Sequence, residues 1–154
     1  MQLNPMEDFQ RDISYRLLKQ EDGTALLRAH MTDRFHDVEV EVRIEVETMK
    51  VLSARAEFRK APTVDCRNVS AKMEGLVGFV VGRGLQRKLN EVLGGVEGCG
   101  NLRTMLIGLL PLALNLGAAA GIDNEEEMME AIHEKLVGTC GGYLAPPAKG
   151  GTAR

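Results

Sequence analysis

The chain has 154 residues, 44% hydrophobic and 27% charged, with 22 acidic against 19 basic side chains and a formal net charge of −3. That length buries a core without disulfides or a structural metal. Lysine and arginine are scattered among acids rather than gathered in a block, which argues against nucleic-acid binding, and three widely spaced cysteines make neither a disulfide framework nor a zinc ribbon.

Residues 1–10 read as an N-terminal arm, 11–145 as one domain, and 146–154, rich in Gly, Ala and Pro, as a disordered tail. The arm carries Glu7 and Asp8 and has no apolar run, so it is not read as a secretory signal, and the cytoplasm is the expected location. Met105 to Ile122 holds no charge, yet Pro111, Asn115 and the absence of aromatic or basic flanks favour a buried core helix over a membrane segment.

Four strands are predicted first. Ile13, Tyr15 and Leu17 alternate with polar neighbours, Asp22-Gly23 marks a hairpin turn, and Leu27, Ala29 and Met31 alternate with Arg28 and His30 up to Asp33. From Asp37 to Glu47, valines and Ile44 alternate strictly with charged residues, and Leu52, Ala54, Ala56 and Phe58 repeat the pattern. Consecutive strands with short links form an antiparallel meander, whose one apolar face needs a cover.

After Pro62 the spacing becomes helical, giving an α+β fold. The sequence predicts a short helix over Asn68 to Leu76, an apolar stripe of Leu85, Leu89, Val92 and Leu93, and a central helix from Asn101 to Ala120 bent at Pro111. A last helix is capped by Asp123 or Asn124, with Met128, Met129, Ile132 and Leu136 as its buried stripe. The methionine-rich helices leave a homo-oligomer open, and a protein partner is expected.

Chemistry is concentrated in the glycine-rich turn around Cys99, where Gly94, Gly95, Gly98 and Gly100 surround one thiol before an apolar helix. Thiols at helix N-termini are favoured as thiolates. Cys66 follows the fourth strand and Cys140 the last helix, while Asp33 ends the second strand. Together they offer soft sulfur donors and one oxygen donor, suited to zinc or an iron–sulfur cluster. The other readings are small buried thiols in a metal-free protein-binding module, or an enzyme or sulfur carrier with a nucleophilic Cys99. His30, His36 and His133 lack metal-motif spacing and read as solvent-facing, and Gly78 to Gly84 with Arg83, Arg87 and Lys88 reads as a surface loop rather than a phosphate cradle.

Asp22-Gly23, Thr32-Asp33, the proline loop with Cys66, Leu76-Val77-Gly78 and the run Leu93-Gly94-Gly95-Val96-Glu97-Gly98-Cys99 resemble the bacterial domain-of-unknown-function family numbered twenty-eight eighty-nine. The resemblance runs from about Arg11 to Tyr143 and takes in Thr139-Cys140. That family usually has histidine two residues after the cysteine, where this chain has Asn101. The order of strands, cysteine loop and cysteine before a long helix also resembles the iron–sulfur cluster assembly scaffold fold. This second resemblance implies cluster ligands at Asp33, Cys66 and Cys99, with Met31 and Gly98 in two other ligand positions.

Overall fold

The computed structural model describes residue 4 and residues 6–145. The expected tail at 146–154 lies outside the described residues. Two compact units follow one another in sequence, the first ending at Leu114 and the second starting at Asn115.

The first unit opens with four strands, β1 (Asp12–Lys19), β2 (Thr24–Thr32), β3 (Asp37–Glu45) and β4 (Val51–Lys60), paired antiparallel in the order β1-β2-β3-β4. At the first hairpin Gly23 has φ +78, and the Asp22 carboxylate accepts hydrogen bonds from the Thr24 N–H at 3.1 Å and the Thr24 hydroxyl at 2.6 Å. A residue without a side chain takes that left-handed backbone at no steric cost. Strict alternation does what period two demands: Ala25, Leu27, Ala29 and Met31 on β2 and Val38, Val40, Val42 and Ile44 on β3 are fully buried.

On β4 the alternation slips. Ile44 pairs with Val51 while Arg43 pairs with Ser53, which makes Leu52 the extra residue of a bulge. Leu52, predicted to face inward, is therefore 42% exposed, and Val51 takes the core position.

The cover over the apolar face is a 3-10 segment, Val64–Leu76, followed by α1 (Leu85–Leu93) and α2 (Gly100–Leu109). The 3-10 segment packs on β4 and α1, and α2 lies across β1, β2 and β3. The helix predicted from Asn68 thus starts earlier and is wound more tightly, burying only Met73 and Leu76. Leu85, Leu89 and Leu93 of α1 and Leu102, Met105, Leu106 and Leu109 of α2 complete the core. Gly108 lets β1 reach α2, since a side chain there would overlap the Tyr15 phenol.

The single central helix predicted from Asn101 to Ala120 is two helices, α2 and α3 (Leu112–Ala118). Pro111 lacks the N–H that would continue the ladder, and its ring collides with the carbonyl four residues back. Among the described residues Gly100–Ala118 is the one stretch long and apolar enough to cross a membrane. Within it, the four core residues of α2 have no exposed surface.

In the second unit, α4 (Glu125–Leu136) starts at Asn124, whose side chain accepts the Glu127 N–H at 3.1 Å. None of its residues is buried, and Met129 is 55% exposed. The expected stripe of Met128, Met129, Ile132 and Leu136 therefore does not form a core, as a unit of this size cannot enclose a helix face by itself.

Candidate functional site

The four-residue link between β2 and β3 is built on Asp33. Its N–H donates to the His36 carbonyl at 3.0 Å, and its Oδ1 accepts the N–H groups of Phe35 and His36 at 2.7 and 2.8 Å. This local arrangement turns the carboxylate inward, where its side chain has no exposed surface. His36 Nδ1 lies 2.9 Å from Oδ1, and Arg11, just before β1, donates from Nε to Oδ2 at 2.8 Å.

Asn101, in the first turn of α2, completes the cluster. Arg11 Nη1 donates to Asn101 Oδ1 at 3.0 Å, and Asn101 Nδ2 lies 3.2 Å from His36 Nε2. A guanidinium can only donate, so it fixes the amide with its NH₂ toward the imidazole. The carboxylate can only accept, so His36 carries its hydrogen on Nδ1 and offers a lone pair at Nε2. Burial alone raises the Asp33 pKa, but the Phe35 N–H, His36 and the Arg11 guanidinium outweigh it and hold the carboxyl at about 2, against an ordinary 3.8.

His36 is therefore not solvent-facing as predicted: only 12% of its side chain is exposed. The signal in sequence was Asp33-x-x-His36 at a hairpin link, a spacing that lets one aspartate cap the turn and meet the imidazole. His30 is the exposed histidine, paired with Asp37 at 2.7 Å, and His133 Nε2 meets the Ala145 carbonyl at 2.6 Å.

The cysteines are placed differently. Cys66 lies inside the 3-10 segment rather than in a loop, with Sγ 3.5 Å from its neighbour Thr63 Oγ1. Cys99 is the N-cap of α2, half-buried, and its thiol makes no capping hydrogen bond. Its N–H donates to the Leu93 carbonyl at 2.9 Å, which closes the glycine turn. Gly95 supplies φ +70, and a side chain at Gly98 would overlap the Leu93 carbonyl. Cys140, in the second unit, is exposed. Among the described residues, no group of three or more His, Cys, Asp and Glu is arranged to hold a metal ion.

A four-stranded antiparallel meander covered on one face by helices, with a half-buried Arg-Asp-His-Asn corner tying α2 to the β2–β3 link, defines a small α+β domain. Residues 9–114 match the family described as "Protein of unknown function (DUF2889)", and the chain belongs to that family. The match ends where the first unit ends, so Thr139-Cys140, read from the sequence as part of the likeness, lies outside it. Neither the curated proteins nor the solved structures give a match, and the resemblance to an iron–sulfur scaffold gains no support.

Proposed function

We propose that the protein is a binding module that works without a resident metal, with the Arg11–Asp33–His36–Asn101 cluster as a fixed joint and not a reactive centre. One observation carries this reading. Both Asp33 oxygens, both imidazole nitrogens of His36 and both ends of the Asn101 amide already have partners within the cluster. A metal at Asp33 would have to displace the Arg11 guanidinium or the turn's own N–H groups.

The test is elemental analysis and an absorption spectrum on untagged protein purified without oxygen or chelator. Metal far below one equivalent is expected, with a thermal midpoint unmoved by added zinc. Near-stoichiometric zinc or iron that disappears when Cys66 and Cys99 are both replaced by alanine overturns the reading in favour of a metal or cluster carrier using Cys66, Cys99, Asp33 and Cys140.

A second reading rests on the unengaged thiol at the α2 N-cap, which makes Cys99 a nucleophile of an enzyme or sulfur carrier. It requires iodoacetamide to modify Cys99 faster than free cysteine at neutral pH. An equal or slower rate removes it.

A further inference from the structure

The two edges of the sheet are finished differently. Along β4, the Val51 N–H donates to the Phe79 carbonyl at 2.8 Å, the Val51 carbonyl accepts the Gly78 N–H at 2.8 Å, and the Phe58 carbonyl accepts from Arg67 Nε at 3.2 Å. The 3-10 segment packs on the same strand. The other edge is β1, and beyond its pairing with β2 its backbone takes no backbone partner among the described residues. We infer that this edge pairs with β1 of a second copy of the chain, extending the sheet across a two-fold axis at Tyr15. The inference goes beyond the binding reading above and does not depend on it.

The phase of the hydrogen bonds shows what the edge offers. The Gln20 N–H donates to the Thr24 carbonyl at 2.9 Å, and the Asp33 N–H donates to the His36 carbonyl at 3.0 Å. In an antiparallel ladder such bonded pairs recur at every second residue. Both contacts set the same phase: Asp12, Ser14, Arg16 and Leu18 bond to β2, while Ile13, Tyr15 and Leu17 turn their N–H and C=O groups outward. The register of β1 on β2 is unbroken and the strand holds no proline, so this outward row can take another strand.

The same three residues carry the apolar side chains of β1, on the face that α2 covers. Ile13 and Leu17 are half-buried and Tyr15 is 36% exposed beside Gly108. Two copies place these side chains on one face only when the axis passes through Ser14, Tyr15 or Arg16. An axis at Arg16 sets one guanidinium opposite the other, and an axis at Ser14 leaves Leu17 and Leu18 facing residues before the start of the second strand. An axis at Tyr15 pairs Ile13 with Leu17 of the second copy and sets Asp12 diagonal to Arg16 of the second copy, within reach of a long side chain.

Charge fits that register. Asp12 and Arg16 are both exposed. Asp12 accepts from its neighbour Gln10, at 3.1 and 3.0 Å, and Arg16 stands across from Arg28, a like charge, in the β1–β2 pair. The axis gives each the opposite charge, and does so twice because the contact is isologous. One strand from each copy is small beside a standard interface, so a dissociation constant on the order of tens of micromolar is expected.

Sedimentation of the full chain from about 5 to 500 µM, a range chosen to bracket that constant, tests the inference. A reversible monomer–dimer equilibrium is expected, with hydrogen exchange at the Ile13, Tyr15 and Leu17 amides slowing as concentration rises. Arg16→Asp brings acid beside acid across the axis and Asp12→Arg brings base beside base, so each weakens the dimer by roughly tenfold, the symmetry counting each change twice. Both sites are exposed, and Arg16→Asp also removes the like-charge pairing with Arg28, so the monomer keeps its fold. The double variant, with the two charges exchanged, recovers the dimer. A monomer throughout the range, a dimer that both single variants leave intact, a double variant that does not recover, or a dimer whose three amides exchange as fast as in the monomer overturns the inference.

Discussion

Two histidine–aspartate pairs lie at opposite ends of burial in the same sheet region. His30 and Asp37 meet at 2.7 Å on the open face of the sheet, with side chains 41% and 35% exposed; His36 and Asp33 meet at 2.9 Å with 12% and 0% exposed. The distances alone would rank the first pair higher. Environment reverses the order, because an exposed pair exchanges water for a partner at little net gain, whereas a buried carboxylate relies on the donors around it.

The open face carries more such pairs, with Arg28 and Arg55 both on Glu41 at 3.2 and 3.1 Å and Arg59 on Glu39 at 3.1 Å. They keep the uncovered side of the sheet wetted and its charges balanced. The corner ties the segment before β1, the β2–β3 link and α2 into one object. Asp33→Ala should break it most: His36, only 12% exposed, the N–H groups of the turn and the partly exposed Arg11 all lose their shared acceptor, at a cost of about 3 kcal/mol. Denaturant unfolding checks this as a lower midpoint at constant slope.

Acid gives the second largest effect. The folded-state pKa of Asp33 lies near 2, below the ordinary 3.8, so its contribution is complete above about pH 4 and is lost as the pH falls toward 2. The shift corresponds to a contribution on the order of 2 kcal/mol. Stability curves taken from pH 5 to 2 should separate the wild type from Asp33→Asn at the upper end and bring them together at the lower.

Asn101→Ala should cost less, about 1 kcal/mol, since it removes two hydrogen bonds at the partly exposed edge of the cluster while leaving the Arg11–Asp33 contact in place. Its second readout is His36: the Nε2 resonance should shift when its amide neighbour is removed. An unmoved resonance would mean that the imidazole does not rely on Asn101 for its lone-pair partner.

How much of this the sequence displays follows from the range of the interactions. The strands are legible because Val38, Val40, Val42 and Ile44 alternate over consecutive residues, and the Asp22-Gly23 turn is legible because its hydrogen bonds span two residues. The Leu52 bulge is not, because Leu52 continues an alternating pattern and only pairing with β3 displaces it. The corner is the hardest case, with partners 22, 65 and 90 residues apart. Asp33 stands out in sequence as an oxygen donor, and the local Asp33-x-x-His36 spacing accounts for the partners of Oδ1, but Oδ2 is filled by Arg11, which no local pattern brings near. The same limit separates the cysteines, which look alike as loop thiols yet occupy a 3-10 segment, a helix cap and an exposed turn.

The smallest effect tests the other half of the comparison. Asp37→Ala removes the 2.7 Å contact to His30 and a 4.0 Å contact to Arg59, both on side chains water already reaches. His30 remains solvated, and Arg59 keeps Glu39 at 3.1 Å and Glu57 at 3.6 Å. A change within about 0.5 kcal/mol is therefore expected. If unfolding midpoints showed a loss comparable to that of Asp33→Ala, burial would not be what divides the two pairs, and the open face would have to be treated as a coupled network whose members support one another across β2, β3 and β4.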